Sequence, residues 1–278
     1  MGVLLSLITA ASYGTADFLG GMSAKRISVI RVVAGSQVIG LVGVALAALL
    51  IDNTFTWRDF GIGALGGAAG GMGVGLLYRG LSRGPMSLVA PLTAVSSAVL
   101  PSMYGIVTGD RFTMLGWAGL AVALVAIWLV AGTESDADVS VTPRVVVEAL
   151  LAGSGFGLFF ILLDTTASEA APWPIVGARV FTSTLLIAAL IVRRQPVLPR
   201  ERDALGLVAA TGIVDTGSNV LFLYALRWGD LTTVSVLSSF YPGSTVLLAR
   251  VFLGERSTRL QLLGVVLAIA ATAAIAAG

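Results

Sequence analysis

The chain has 278 residues, of which 56% are hydrophobic and only 12% are charged, and its mean hydropathy is +0.95. Soluble domains carry about 25% charged residues, so this composition excludes a soluble globular domain and predicts an all-α protein that crosses a membrane several times. Cysteine and histidine are absent. Disulfides, thiolate chemistry and the commonest metal ligands are therefore excluded, and we expect neither a metal nor a cofactor.

Ten apolar segments follow one another along the chain, separated by short polar turns such as SAKR after the first and RWGD after the eighth. A membrane-spanning helix needs about 20 mostly apolar residues, and each segment is about that long. The pattern predicts ten transmembrane helices. They cover roughly residues 2–21, 28–51, 60–80, 84–107, 112–132, 144–165, 174–192, 204–226, 230–252 and 257–277.

The longest polar stretch, TESDADVSVTPR, lies near the middle of the chain. It predicts a linker over residues 133–143 between two five-helix halves, residues 1–132 and residues 144–278. Because five is an odd number, the second half enters the membrane with the opposite orientation. Inverted repeats of this kind place a binding site near the membrane midplane, between the halves.

The two halves show matching residues when one is shifted by 145 positions. This shift places Gly84 on Gly229 and the loop Gly109-Asp110-Arg111 on Gly254-Glu255-Arg256. It also places Asp215 on a glycine, Gly70. Each match is weak, because glycine and charged turns recur at any membrane boundary, but their common order indicates a duplication.

The fourth segment of each half carries prolines among hydroxyl side chains, in LVAPLTAVSSAVLPS at 88–102 and VSVLSSFYPGSTVLLARVFLGER at 234–256. Ser12-Tyr13-Gly14 lies in the first segment, and an arginine lies early in the second and in the seventh. With the ten segments and two halves, this set resembles the EamA-type transporters of the drug/metabolite transporter superfamily. The resemblance covers nearly the whole chain. It implies secondary transport, usually export, of small metabolites such as amino acids.

Asp215 lies near the middle of the eighth apolar segment, where an ionised carboxylate on a lone helix costs about 2.5–3.5 kcal/mol. Asn219 and Phe222 follow at helical spacing and share its face. Two interpretations are open. A polar residue of a neighbouring helix satisfies Asp215, which then only supports packing, or Asp215 lines the substrate cavity or carries a proton. Buried membrane carboxylates are mostly functional, which favours the second interpretation.

Four further residues pose the same choice between function and structure. Asp17 and Tyr13 share one face of the first segment, where Asp17 either forms an interfacial ion pair with the nearby basic residues or lines a site, and the ion pair is favoured. Arg179, like Arg31, is expected to reach toward the lipid headgroups. The alternative for both arginines is pairing with Asp17 or with a substrate carboxylate.

Proline in a spanning helix kinks the helix and frees backbone carbonyls. Freed carbonyls beside hydroxyl side chains predict polar cavity lining at Ser96, Ser97, Ser238 and Tyr241. The alternative is that each serine hydroxyl bonds back to its own helix.

The third segment, GIGALGGAAGGMGVGLLY, places four glycines on one face at a spacing of four residues. Small faces of this kind let helices approach closely. The pattern predicts a tight helix–helix contact through Gly63, Gly67, Gly71 and Gly75.

The favoured function is a secondary transporter, in the direction of export, that moves small amino-acid-like or drug-like metabolites by alternating access. The alternatives are a non-transporting scaffold or receptor subunit, and an intramembrane enzyme built on Asp17 and Asp215. The expected partners are a small-molecule substrate and the lipid bilayer, with no nucleic acid, for a monomer or homodimer in the plasma (inner) membrane. Most of the 17 basic residues fall on one set of loops, which predicts that both termini face outward. The family resemblance implies the reverse.

Overall fold

The computed structural model describes residues 1–51, 53–108, 113–131, 142–199, 202–229, 231–254 and 259–277, in which every long regular element is an α-helix. Most of the predicted linker and the loop residues Asp110 and Glu255 lie outside the described residues. A single 3₁₀ turn, Ser168–Ala170, precedes the seventh helix. The helices are α1 Gly2–Arg26, α2 Val29–Leu50, α3 Trp57–Arg83, α4 Met86–Thr108, α5 Met114–Ala131, α6 Pro143–Asp164, α7 Trp173–Val192, α8 Arg202–Ala225, α9 Leu231–Ser238, α10 Pro242–Leu253 and α11 Arg259–Ala277.

Within the described chain, eight helical segments are long and apolar enough to cross a membrane. They are α1 to α4, α6 to α8 and the segment Thr233–Leu253, which contains most of α9 and all of α10. Large apolar side chains such as Leu65 and Ile213 are exposed on their outer faces, where lipid chains would cover them. The all-α, multi-pass class is therefore confirmed. The fifth and tenth predicted segments form α5 and α11, which are not among those eight, so ten crossings remain a prediction.

The ninth predicted segment is broken where it was expected to kink. Helix α9 ends at Ser238 and α10 begins at Pro242. Proline has no backbone N–H and fits the first turn of a helix, where that N–H would lack a partner anyway. Helix α4, in contrast, continues through both Pro91 and Pro101.

Helix α3 packs closely against α7 along its glycine face. A methyl group on Gly63 or Gly67 would overlap backbone atoms of α7, and one on Gly71 would lie 2.6 Å from Cγ2 of Thr182. The Thr182 hydroxyl donates to the carbonyl oxygen of Gly67 at 2.8 Å. Gly75 has no neighbour within 4 Å. The predicted close approach is confirmed for the first three glycines and is wrong for Gly75, where an added methyl group would meet open space.

The most extensive contacts join helices before the linker to helices after it. Helix α3 packs on α6 and α7, α1 on α8, α2 on α7 and α8, α4 on α6, and α5 on α11. Helix α1 also contacts α9 and α10. The interlocked helices surround a central space, which holds the polar residues described next.

Candidate functional site

A cavity lies at the centre of the bundle, with about 600 Å³ of empty space including its opening. Helices α1 to α4, helices α6 to α8 and the turn before α10 all contribute residues to its lining. Six of the nine residues singled out in the sequence line this cavity. They are Tyr13, Asp17, Ser97, Asp215, Asn219 and Tyr241.

An ion pair holds Asp215 inside the bundle. The Arg179 side chain on α7 donates from Nη2 to Oδ2 of Asp215 on α8 at 2.7 Å, and its Nη1 donates to Oε1 of Gln37 on α2. Arg179 and Asp215 are only 6% and 9% exposed. The two interpretations of Asp215 therefore both hold in part. Asp215 lines the cavity, and it also forms an ion pair with an arginine of a neighbouring helix.

The expected headgroup position is wrong for Arg179. Arg179 lies six residues after Trp173, the first residue of α7, which is about 9 Å into the helix at 1.5 Å per residue. It therefore faces the cavity and not the lipid surface. Arg31 behaves differently, since it donates to the carbonyl oxygens of Pro196 and Leu198 in the loop after α7.

Asn219 extends the polar network from α8 to α1. Its Nδ2 donates to the backbone oxygen of Asp215 at 2.8 Å, one helical turn earlier. Its Oδ1 accepts a hydrogen bond of 2.9 Å from the Tyr13 hydroxyl. Three helices are thereby joined through consecutive hydrogen bonds, from Arg179 to Asp215 and Asn219 and on to Tyr13.

Asp17 has no such partner. Its side chain lines the cavity and is 8% exposed, yet within the part of the chain that the structure describes its carboxylate forms no ion pair and no hydrogen bond. The favoured interpretation, an ion pair at the membrane interface with Lys25 or Arg26, is therefore wrong. The reason is that Asp17 faces the bundle interior, two turns of α1 away from those basic residues.

Hydroxyl groups lie at the cavity wall between α4 and the broken ninth segment. The side-chain oxygens of Ser97 and Ser239 are 3.2 Å apart, and each hydroxyl also donates to a carbonyl oxygen of its own helix. The Tyr241 hydroxyl is buried and has no hydrogen bond of standard geometry to a described residue, although the Ser97 hydroxyl lies near it. One phenol hydroxyl without a standard hydrogen bond therefore remains at the cavity wall.

Three of the singled-out residues do not line the cavity. Phe222 stacks on Phe160, with ring centroids 4.2 Å apart, and so supports the wall from behind. Ser96 bonds back to carbonyl oxygens of its own helix, as the alternative interpretation held. Ser238 is buried, and its hydroxyl has no partner among the described residues.

Sequence reasoning missed several residues of the cavity wall. Phe156, Phe159 and Phe160 on α6 and Gln37 on α2 all line the cavity. The only signal for Gln37 was an amide in an otherwise apolar helix. The phenylalanines gave no signal, because aromatic residues in an apolar helix are equally typical of lipid contact.

The arrangement supplies a polar chamber inside the bundle. Within the described residues, no cluster of three or more acidic side chains could hold a metal ion. Charged and polar groups inside a lipid-facing bundle mark substrate or ion pathways. The fold and the cavity together define a multi-pass α-helical membrane protein with a polar central chamber, a class that contains many transporters.

The family comparison identifies the chain within that class. The chain belongs to the EamA-like transporter family, whose family model matches residues 1–132 and 144–277. The resemblance noted in the sequence is thereby confirmed. The protein is a membrane transporter of the drug/metabolite type, in a family of transporters and not of enzymes.

Two individual similarities accompany the family match. The uncharacterized protein MJ1333.1 of Methanocaldococcus jannaschii is 26% identical over 115 residues, which cover 41% of this chain and 82% of that protein. A protein of known crystal structure, 18% identical, aligns over 98% of this chain and 95% of its own with a TM-score of 0.71. At that identity the second similarity shows a shared fold only.

Proposed function

We propose that this protein is a secondary transporter that exports small metabolites by alternating access, with the substrate bound between two five-helix repeats. One observation carries the proposal. In a bundle whose outer surface is apolar, residues from helices on both sides of the linker enclose a cavity that contains two carboxylates and an arginine. Buried charge of this kind is costly in lipid and is usually retained for transport.

The proposed architecture has ten crossings in two inverted copies, residues 1–132 and 144–278, joined by the linker 133–143. The two separate segments matched by one family model support it. The archaeal relative adds support, since it matches 115 residues and is only about half as long as this chain.

Contacts inside the bundle also favour two related copies. A methyl group on Gly67 would overlap the backbone of Ala178, and one on Gly212, the residue 145 positions after Gly67, would overlap Ser36. The α3–α7 and α2–α8 contacts therefore use matching glycines. Two side-chain contacts across the centre, Arg179 with Gln37 and Ser97 with Ser239, also join the first proposed repeat to the second.

The proposed setting is the plasma membrane, with the lipid bilayer as partner and a monomer or homodimer as the unit. Candidate substrate-binding or coupling residues are those that line the cavity, above all Asp17 and Asp215. Gradient-driven transport and simple exchange are both compatible with a cavity of this composition.

Counterflow in proteoliposomes tests the proposal. Liposomes that contain the purified protein are loaded with an unlabelled compound, and uptake of the labelled compound is followed with and without a pH gradient. The panel comprises amino acids, organic amines and neutral aromatic alcohols, and protein-free liposomes give the background. We expect saturable uptake of at least one compound class. Uptake at background for the whole panel would contradict transport and favour a scaffold role.

A further inference from the structure

Asp17 is the cavity's acid without a counter-ion. It is 8% exposed, lies on α1 well inside the bundle and has no ion-pair or hydrogen-bond partner among the described residues. A carboxylate held out of water is costly unless it is paired. Such a group either binds a proton or gains from a cationic partner, and a cationic ligand group that enters the cavity would supply that partner.

The other charges of the cavity do not compensate Asp17. Arg179 is the single cationic side chain among the described residues that line it, and Asp215 already binds that guanidinium at 2.7 Å. The other terminal nitrogen of Arg179, Nη1, donates a hydrogen bond to Oε1 of Gln37. With both acids ionised, the lining carries a net charge of −1, located at Asp17.

The remaining wall suits the organic part of a cation. Tyr13 and three phenylalanines of α6, Phe156, Phe159 and Phe160, line the cavity. Aromatic faces attract ammonium groups and pack against apolar substituents. The buried Tyr241 hydroxyl, which has no hydrogen bond of standard geometry to a described residue, offers an oxygen that can accept an N–H.

We infer that Asp17 binds the ammonium group of a monocationic amine, and that such amines are the substrate class of this transporter. The inference rests on the proposed transport function and narrows it. Asp215 and Arg179 form an ion pair with no net charge, so in this proposal Asp17 is the residue that selects cationic over neutral ligands. A zwitterionic amino acid is disfavoured, because its carboxylate would have to compete with Asp215 for Arg179.

A binding assay on the purified full-length protein tests the inference. The probes are ethylamine, butylamine and phenethylamine, compared with 2-phenylethanol and with the zwitterion L-phenylalanine. We expect the amines to bind the wild type at least ten-fold more tightly than both comparison compounds. Asp17→Asn is expected to weaken amine binding at least ten-fold, Asp17→Glu to retain most of it, and Asp164→Asn, on an exposed residue, to leave it unchanged.

A second measurement needs no variant and covers the case in which Asp17→Asn does not fold. A hydrophobic carbodiimide labels buried carboxyl groups of the wild type, and mass spectrometry quantifies labelling of the peptide that contains Asp17. Phenethylamine is expected to reduce this labelling several-fold, whereas 2-phenylethanol is not. Labelling that phenethylamine leaves unchanged would overturn the inference.

The remaining outcomes separate the inference from the proposed function. If no amine binds, or if 2-phenylethanol binds as tightly as phenethylamine, the inference is wrong. If L-phenylalanine is transported equally by the wild type and Asp17→Asn, transport stands and the amine assignment is wrong. If amines bind at Asp17 but no compound crosses the liposome membrane, the binding assignment stands and the transport function is wrong.

Discussion

At the scale of single residues, the centre of the protein depends on a buried ion pair between Arg179 and Asp215. Arg179 binds Asp215 and Gln37, and Asn219 ties the same turn of α8 to Tyr13. A buried pair contributes little net stability compared with apolar residues, because both ions lose their hydration. Removing one partner is different, since the other charge is then left unpaired in a low-dielectric interior.

We therefore expect Arg179→Gln and Asp215→Asn each to destabilise the protein by about 3–5 kcal/mol, and the double variant to lose clearly less than the sum. Detergent-induced unfolding of the purified protein measures all three. Glu169→Gln, on an exposed glutamate in the 3₁₀ turn, is the control and is expected to unfold like the wild type. Additive losses in the double variant would contradict direct coupling of the two side chains.

At the scale of elements, small residues decide how closely helices approach. Helix α3 contacts α7 through Gly63, Gly67 and Gly71, and a hydrogen bond from Thr182 to the Gly67 carbonyl closes the contact. In lipid, van der Waals packing and hydrogen bonds such as these hold helices together, because water no longer drives their association.

Two glycines on the same face of α3 allow a matched comparison, because one contacts α7 closely and the other does not. Gly67→Ala is expected to destabilise the protein by about 1–3 kcal/mol, because the added methyl overlaps the Ala178 backbone. Gly75→Ala, on the same helix face, meets no neighbour within 4 Å and is expected to be neutral or stabilising by up to about 1 kcal/mol. Thermal unfolding in detergent distinguishes them, and equal melting temperatures would argue against the close α3–α7 contact.

A second contact between elements is electrostatic. Glu148 is buried on α6 and forms ion pairs with three arginines through its Oε1. Arg144, on the same helix, lies 3.1 Å from this oxygen. Arg79 and Arg83, at the end of α3, lie 3.2 Å and 3.8 Å from it. The arginines are partly exposed, so solvent weakens each pair. The cluster nevertheless joins a helix before the linker to one after it, at one end of the bundle.

Glu148→Gln is expected to destabilise the protein by about 1–3 kcal/mol, because the hydrogen bond from Arg144 loses its charged acceptor and three arginines are left facing one another. Glu169→Gln, on an exposed glutamate in the 3₁₀ turn, is the matched control and is expected to have no measurable effect. Chemical unfolding followed by tryptophan fluorescence measures both. Equal stability of the two variants would show that Glu148 does not join α6 to α3.

At the scale of the whole molecule, alternating access requires the helices around the cavity to separate on one side at a time. Helix α4 and the broken ninth segment meet at Ser97 and Ser239, whose hydroxyl oxygens are 3.2 Å apart. Because the chain contains no cysteine, a pair of cysteines introduced there would be the only thiols present.

The double variant Ser97→Cys with Ser239→Cys is expected to form a disulfide under mild oxidation, to lose counterflow activity, and to regain it on reduction. The physical reason is that the bond prevents α4 from moving away from the turn that follows α9. Each single cysteine variant, treated with the same oxidant, is the control and is expected to stay active. Full activity in the oxidised, cross-linked protein would contradict an opening between these two elements.

Much of the site was predictable because lipid makes polar residues conspicuous. Asp17, Asp215, Asn219 and the hydroxyls of Tyr13 and Tyr241 were identified by chemistry that does not belong in an apolar helix, and all five line one cavity. The sequence could not assign their roles. Asp215 was the favoured functional acid, yet it is neutralised by Arg179, whereas Asp17, expected at the interface, is the acid left unpaired.

The sequence by itself determined the class of the protein, the positions of its helices to within a few residues and its family, since hydropathy and helical spacing are local properties of the chain. Only the tertiary structure decided which charges meet. Arg179 and Asp215 are 36 positions apart in the chain, and Arg179 and Gln37 are 142 apart, so no local pattern could pair them. Which acid is left without a partner depends on how α1, α2, α7 and α8 pack against one another, and close packing of the whole bundle sets that arrangement.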